Sequence, residues 1–430
     1  MIRQFKKIIF LIGLLVHHVT GNSQDSNYVH HVIDVLSQDS LLGRGYVNQG
    51  HLKAAHFIAK EFKKNGLRPI GESYFLPFEM TANTFLGKVH VVAHNGEDSL
   101  LLKPGTDVWI APNSPGGKGD YQIEMISWEE IEQETWLEKI KGKTDYFLGV
   151  HLPPDSLDNK RKMVLNSTIY SLANISNAPW HGVLKIANTA PAWSGATELG
   201  QMNQFTVLVP ESFSIDRITF EVEQAFDTLI SNNVIGVIEG KRKKKYIFVT
   251  AHYDHLGKMG PVTFNGAFDN ATGTATILDM ARHWAQSEEK PKYTVVFVAF
   301  GGEEFGLLGS RYMADHPPFP LKRIKFLLNI DLMYRPQVGI RVVNGSIFRD
   351  EFDQMVQLNE ENNYVDKVRI RGESCNSDHC PFYMKGVPSF FIYTLGQYPY
   401  YHNSKDVASE IQLDGYNGYF KLMNQFLREL

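Results

Sequence analysis

Two kinds of hydrophobic pattern divide the first half of the chain. Residues 51–67 carry apolar side chains at helical spacing and reach a stop at Gly66, which predicts an amphipathic helix. Over residues 85–226, short β-type runs such as KVHVVA, YFLGVHL, GVLKIA and FTVLVP alternate with clusters of Gly, Pro, Ser and Asn. Few helical stretches, such as residues 128–140, interrupt these runs. This part of the chain is therefore predicted to be rich in β-structure.

From residue 233 onward, strand-like runs alternate with helical segments. The runs are NVIGVIEG, YIFVTAHY, YTVVFVAFG, FLLNIDLM and PSFFIYT, and the segments between them include predicted helices at 270–284, 304–314 and 349–362. The alternation predicts an α/β fold with a mostly parallel mixed sheet sandwiched by helices. The basic stretch 241–245 lies between two strand-like runs and is expected to be a solvated hairpin turn rather than a nucleic-acid patch.

The N-terminus has the pattern of a secretory signal. Arg3, Lys6 and Lys7 precede an apolar run over residues 8–16, which is too short for a permanent membrane span, and small residues follow. The alternative is a buried N-terminal helix. No cysteine follows the run, which argues against a lipid anchor. We expect residues 1–24 to be a signal peptide and the mature chain to be secreted or periplasmic, with no membrane association after cleavage.

Charge and cysteine content exclude several classes of protein. The chain has 47 acidic and 43 basic residues and a net charge of -4, so no basic field favours nucleic acid. Its two cysteines rule out a disulfide framework and a four-thiolate zinc site. Cys375 and Cys380 lie five positions apart, close enough to form a small disulfide in an oxidising compartment.

Acidic and histidine residues follow the strand-like runs of the second half. An open α/β sheet has its ligand crevice at the carboxyl ends of its strands, so these side chains are candidates for one site. Each has an ordinary alternative, because a lone strand-end histidine is usually structural, Asp269 fits a helix N-cap, and two adjacent acids fit a solvated turn. The candidates are His252, Asp254 and His255, then Asp269, then Glu303 and Glu304, then Asp331, and finally Tyr401, His402 and Asp406.

Five of these residues form a candidate metal-ligand set of two imidazoles and three carboxylates: His252, Asp269, Glu304, Asp331 and His402. Without a thiolate, such a set suits zinc, with manganese or cobalt as second choices. Five ligands exceed the three of a single catalytic zinc and suit two ions that share a carboxylate. Glu303, adjacent to a ligand, is the candidate general base for hydrolysis.

The segments AHYDHLG, GAFDNATG, VAFGGEEFGLLGS, NIDLMY, SDHCPFYMKGVPSFF and YYHNSKDV resemble clan MH, the co-catalytic zinc exopeptidases that include secreted bacterial leucyl-type aminopeptidases. The resemblance implies one zinc ion on His252 and Asp331, another on Glu304 and His402, and Asp269 as the bridge. It also implies Glu303 as the general base, which takes the proton of a water molecule held by the metals.

In the same family, the HxD pattern makes Asp254 the residue that orients His252. Tyr401 matches a tyrosine that steadies the oxyanion in some members. The segment LLGRGYVNQGHLKAAHFIAKEFKKNGLRPIG resembles the family's lead-in helix, and residues 85–226 resemble, loosely, a protease-associated insert. We therefore expect a catalytic domain over residues 25–84 and 227–430 and an inserted lid domain over residues 85–226.

The predicted function is that of a zinc exopeptidase acting on peptide substrates, most simply an aminopeptidase. A carboxypeptidase or dipeptidase would use the same metal site and differ only in the pocket for the chain terminus. A glutaminyl-cyclase-like acyltransferase uses one zinc ion, so the five-ligand set argues against it. A non-catalytic binding protein on this scaffold would be expected to have lost ligands, and none is lost.

Overall fold

The computed structural model describes residues 26–430, so the predicted signal peptide at residues 1–24 lies outside the described residues. This part of the chain has ten α-helices: α1 Ser26–Leu36, α2 Gly50–Lys64, α3 Trp128–Glu132, α4 Trp136–Ile140, α5 Asn159–Leu172, α6 Thr272–Gln286, α7 Leu308–Asp315, α8 Arg349–Asn362, α9 His379–Tyr383 and α10 Tyr416–Glu429. Across residues 26–430, no helix combines the length and the apolar character that a bilayer crossing requires.

The same residues form eighteen strands: β1 Phe75–Thr84, β2 Val89–Asn95, β3 Asp98–Leu102, β4 Val108–Ile110, β5 Gly117–Ile126, β6 Tyr146–His151, β7 Trp180–Ile186, β8 Asn203–Val207, β9 Arg217–Val222, β10 Ala225–Ile238, β11 Arg242–His252, β12 Gly257–Met259, β13 Val262–Phe264, β14 Tyr293–Phe300, β15 Ile324–Ile330, β16 Ile340–Val343, β17 Val368–Ile370 and β18 Ser389–Thr394. They form two eight-stranded sheets and one two-stranded hairpin, β12–β13.

The first sheet, which we call the central sheet, has the strand order β1-β10-β14-β11-β15-β18-β16-β17. Its four middle strands β14, β11, β15 and β18 are parallel, and antiparallel pairs flank them. All eight residues of β14 are buried, as expected for a strand that is covered on both faces. Helices α1, α2, α6, α8 and α10 pack on one face, and α7 and α9 pack on the other. The predicted α/β class, with helices on both faces of a mixed sheet, is confirmed.

The second sheet, which we call the insert sheet, contains strands β2 to β9, with the order β3-β2-β9-β5-β6-β7-β8-β4. Helices α3, α4 and α5 cover one of its faces. Its other core includes Leu256, Met259 and Phe264 of the β12–β13 region, so the insert sheet packs directly against the loops that follow β11.

Three local predictions were wrong. The stretch 241–245 is exposed but is not a hairpin turn, because β14 lies between β10 and β11 and Arg242 already begins β11. The helix predicted over residues 128–140 is two short helices, separated where Glu134 takes a φ of 58°. The helix predicted from residue 304 begins at Leu308, because a turn that includes Gly306 at a φ of 103° precedes it.

Candidate metal centre

The candidate site lies at the carboxyl edge of the central sheet, where the four parallel strands end. His252 is the last residue of β11, and Asp331 directly follows β15. Glu303 and Glu304 lie shortly after β14, and His402 lies in the loop after β18. Neighbouring parallel strands end at one edge, so residues far apart in sequence meet there.

One group of possible ligands consists of His252, Asp269 and Asp331, all buried. His252 Nε2 lies 3.2 Å from Asp269 Oδ1 and 3.4 Å from Asp331 Oδ1. The other ring nitrogen, Nδ1, lies 3.2 Å from the main-chain oxygen of Asp254. The Asp254 carboxylate is farther from Nδ1, at 3.9 Å.

A second group consists of Asp269, Glu304, His402 and His255. His402 Nε2 lies 2.9 Å from Asp269 Oδ2 and 3.1 Å from Glu304 Oε2. Asp269 therefore belongs to both groups and turns one carboxylate oxygen toward each histidine. His255 was not among the five predicted ligands, yet its Nδ1 lies 2.6 Å from Glu304 Oε1.

The histidine tautomers indicate that these groups suit a cation. A main-chain oxygen only accepts hydrogen bonds, so His402 Nδ1, 2.6 Å from the oxygen of Trp193, carries the proton. In the neutral ring, Nε2 then presents a lone pair to two carboxylates. Neither His402 Nε2 nor Asp331 Oδ1 has a hydrogen-bond partner within residues 26–430, although both atoms are buried. Burial lowers the pKa of His402, but the Glu304 and Asp269 carboxylates outweigh it and raise this pKa to about 11. The cluster favours positive charge, and its donor atoms are those of a metal site.

Glu303 lies beside the first group but belongs to neither. Its Oε2 is 4.0 Å from His252 Nε2, and its main-chain N–H donates to Asp254 Oδ1 at 3.1 Å. Burial raises the pKa of Glu303; His252 opposes this shift, and the Asp378 and Glu304 carboxylates add to it. Asp254 also accepts a hydrogen bond from the Tyr46 hydroxyl at 3.1 Å, so its carboxylate ties Glu303 to the N-terminal segment.

Tyr401 lies flat against a candidate ligand. Its ring stacks on the His402 ring with a centroid separation of 4.0 Å and an interplanar angle of 17°. The residue is 46% exposed. Its hydroxyl is not among the hydrogen-bonding groups at the site, and its predicted role at the oxyanion stays a prediction.

Two residues that support Asp269 were not recognised as such from the sequence. Arg44 is fully buried, and its guanidinium donates to five main-chain oxygens, including those of Gly266 at 2.7 Å and Asp269 at 3.0 Å. Asp406 accepts from the main-chain N–H groups of Phe268 and Asp269 at 2.7 and 3.2 Å. The sequence placed Asp406 in the YYHNSKD cluster, but nothing in LLGRGYVNQG distinguishes Arg44 from an exposed arginine.

The insert sheet region reaches the metal centre through Trp193. The main-chain oxygen of Trp193 accepts a hydrogen bond from His402 Nδ1. The main-chain N–H of Trp193 donates to the main-chain oxygen of His402 at 3.2 Å. The Trp193 indole N–H donates to the main-chain oxygen of Ile110 at 2.7 Å, which anchors the loop between β7 and β8 to β4.

The two cysteines that were predicted to be able to pair, Cys375 and Cys380, form a disulfide bond.

Comparison with known proteins identifies the part of the chain that carries the site. Residues 233–427 match Peptidase family M28. Aminopeptidase YwaD from Bacillus subtilis is 32% identical over 209 residues, which are 44% of this chain and 42% of that protein. A probable leucine aminopeptidase from Arthroderma otae is 28% identical over 230 residues, 49% of this chain and 60% of the relative. The matches therefore span about two fifths to three fifths of these relatives.

Solved structures agree with the fold over nearly the whole chain. A Peptidase M28 precursor from Shewanella amazonensis superposes with a TM-score of 0.73 at 15% identity, covering 95% of this chain and 93% of the other. BSAP, a zinc aminopeptidase from Bacillus subtilis, superposes with a TM-score of 0.66 at 18% identity, covering 94% and 95%. The two-sheet architecture is thus shared with these proteins.

Proposed function

We propose that the chain is a zinc aminopeptidase that removes N-terminal residues from peptides, because residues 233–427 match peptidase family M28. The observation that carries this proposal is the pair of ligand groups that share Asp269. The names of the relatives, which are aminopeptidases, support the same activity. The signal pattern of residues 1–24 supports a secreted or periplasmic location.

The ligand groups support two zinc ions bridged by Asp269. His252 and Asp331 would hold one ion, and Glu304 and His402 the other, as their donor atoms lie close together on each side of Asp269. His255 is close enough to Glu304 to serve as a ligand or to orient that carboxylate. When bound, zinc would polarise the peptide carbonyl and lower the pKa of a water molecule.

Glu303 is the group best situated to move the proton. It lies beside the first ligand group without belonging to either group, so its carboxylate can take a proton from the attacking water. Returning that proton to the leaving amine completes the hydrolysis. Asp254 fixes the main chain at Glu303 and, through its own main-chain oxygen, the ring of His252. Tyr401 is proposed to steady the oxyanion.

Residues 85–226 are proposed to act as an inserted lid. The insert sheet packs on the β12–β13 region, and Trp193 bonds to His402. Such a domain would set which peptides reach the metal centre rather than take part in the chemistry.

The test uses the zinc-loaded protein and peptides of one internal sequence with four combinations of free or acetylated N-terminus and free or amidated C-terminus. Mass spectrometry should find stepwise loss of N-terminal residues from peptides with a free amine and none from acetylated ones. Trimming from the free carboxyl end would instead identify a carboxypeptidase. Cyclisation of an N-terminal glutamine without cleavage would identify an acyltransferase, and an unchanged mixture would identify a binding protein.

A further inference from the structure

A cavity of about 600 Å³ adjoins the candidate metal centre on the side of the insert sheet. Glu304 and Phe305 line the end of the cavity at the metal centre. Trp193, on the loop between β7 and β8, also lines the cavity. The opposite wall comes from β4, β7 and β8, and we call this wall the cavity floor. A substrate whose scissile bond lies at the metal centre therefore has a neighbouring space of substantial size, and its chemistry is set by the floor.

Three floor residues lie side by side on adjacent strands. Lys185 of β7 is paired in register with Thr206 of β8, which is paired with Trp109 of β4. All three side chains line the cavity. Adjacent strands are about 4.8 Å apart, so Lys185 and Trp109 stand about 10 Å apart across the floor. A ligand of a few atoms can approach both.

The floor presents two donor groups, the Lys185 ammonium and the Trp109 indole N–H, that the protein does not fully satisfy. Lys185 forms one hydrogen bond, to Gln204 Oε1 at 3.2 Å, and no ion pair with any residue in the range 26–430. Its burial lowers its pKa to about 8, which reflects an ammonium group without a compensating anion. Trp109 is 3% exposed, and its indole N–H has no hydrogen-bond partner among the same residues. Buried donors are normally satisfied, so this wall is suited to an acceptor that bears negative charge.

Apart from Glu304 at the metal centre, one carboxylate residue lines the cavity, Glu198, and it makes no ion pair with Lys185. Glu198 is exposed to solvent, whereas Lys185 is sheltered. Water screens an exposed charge more than a half-buried one, so Lys185 contributes more than Glu198 to the electrostatics of the floor.

We propose that the cavity binds a carboxylate of the peptide substrate and that Lys185 is its cationic partner. This proposal rests on the proposed function. Two parts of a peptide offer this group. One is an acidic side chain, and the other is the free C-terminal carboxylate of a short peptide. Both would form a charge-assisted hydrogen bond with the lysine, and both are compatible with the floor.

The experiment compares each acid with its neutral amide in two series. The side-chain series uses the p-nitroanilides of glutamate and glutamine, and the C-terminal series uses Leu-Ala and Leu-Ala amide. The measured quantity is the ratio of kcat/KM for the acid to that for the amide. Wild-type protein should favour the acid in at least one series, and that series identifies the source. Lys185→Met should lower this ratio roughly ten- to hundredfold, the value of a hydrogen bond to a charged group.

Two variants accompany the test. Lys258→Met replaces another half-buried lysine that does not line the cavity, and it should leave the ratio unchanged. Lys185→Arg keeps the charge and should retain part of the preference, which guards against a folding defect as the cause. Equal ratios for wild type and Lys185→Met in both series, with neutral substrates still cleaved, would overturn the inference alone. Absence of cleavage of every peptide would overturn the proposed function and the inference with it.

Discussion

The candidate metal centre and the floor of the adjoining cavity carry opposite kinds of unsatisfied charge. At the carboxyl edge of the central sheet, three carboxylates and three imidazoles crowd together, and buried donors and acceptors from Arg44 and Asp406 hold the backbone beneath them. On the cavity floor, Lys185 stands with one neutral partner. We propose that a cation completes the first of these regions and an anion the second. A peptide with a carboxylate at a suitable distance from its scissile bond would then bind at both.

The largest expected effect distinguishes the shared ligand from its neighbours. Asp269→Ala should lose both zinc ions and all activity, because it removes a ligand from each group. Asp254→Ala should keep most of the metal, since it touches His252 chiefly through a main-chain oxygen that alanine retains. Metal content by mass spectrometry, with the exposed Asp350→Ala as control, measures the difference. Equal metal loss in the Asp269 and Asp254 variants would contradict the bridge.

The next effect separates the proposed base from a ligand. Glu303→Gln should keep both metals and lower kcat by roughly two to four orders of magnitude, the usual contribution of a general base. Glu304→Gln should instead weaken zinc binding, because an amide is a poorer ligand than a carboxylate, and added zinc should partly restore its activity. Steady-state kinetics on leucine p-nitroanilide with and without added zinc test both. Metal loss from Glu303→Gln alone would mean that the two roles are exchanged.

A smaller effect concerns the hydrogen bonds that hold the backbone beneath the metal edge. Arg44→Met leaves five main-chain oxygens without their donor, so it should lower the free energy of unfolding by about 3 kcal/mol or more. Arg68→Met, which removes only an exposed ion pair with Glu239, should cost about 1 kcal/mol or less. Urea unfolding measures both. Similar losses of unfolding free energy in the two variants would show that the buried hydrogen bonds of Arg44 stabilise the fold no more than an exposed ion pair does.

The smallest expected effect is a pH dependence of substrate preference, which tests the role of Lys185 on the cavity floor. The pKa of Lys185 is lowered to about 8, so the ammonium is charged below this pH and neutral above it. The acid-to-amide ratio of kcat/KM should therefore be high at pH 6 to 7 and fall about tenfold as the pH rises through about 8. Because the ratio compares the acid with its amide, pH effects at the metal centre that act on both substrates cancel in it. The ratio in Lys185→Met should be flat, and a fall of equal size in that variant would assign the titration elsewhere.

The metal edge was visible in the sequence because His252, Glu304 and Asp331 closely follow apolar runs. The five predicted ligands meet there, as the βαβ order requires, and His255 was available in the same HYDH segment. It was left out because sequence position does not tell which of two neighbouring strand-end histidines points toward Glu304.

The cavity floor was not visible for a different reason. Lys185 is one polar position in the strand GVLKIA, and such a residue normally faces solvent. Residues outside this strand, Tyr170 of α5 and Trp193 of the loop after β7, line the cavity around Lys185 and leave it half-buried. The mistaken hairpin at residues 241–245 has the same origin, since the insertion of β14 between β10 and β11 is a non-local pairing. Local patterns predict elements, whereas the neighbours of an element depend on the whole chain.

The two-way hydrogen bonding between Trp193 and His402 has a thermodynamic consequence. Whatever fixes the His402 ring also fixes the loop between β7 and β8 that carries Trp193, so metal affinity and the position of this loop share one coupling free energy. Such coupling is reciprocal by linkage. Depleting zinc should therefore increase amide hydrogen exchange in the loop around Trp193, and loosening that loop should weaken zinc binding. The shape of the cavity beside the metal centre would then depend on the supply of metal around the protein.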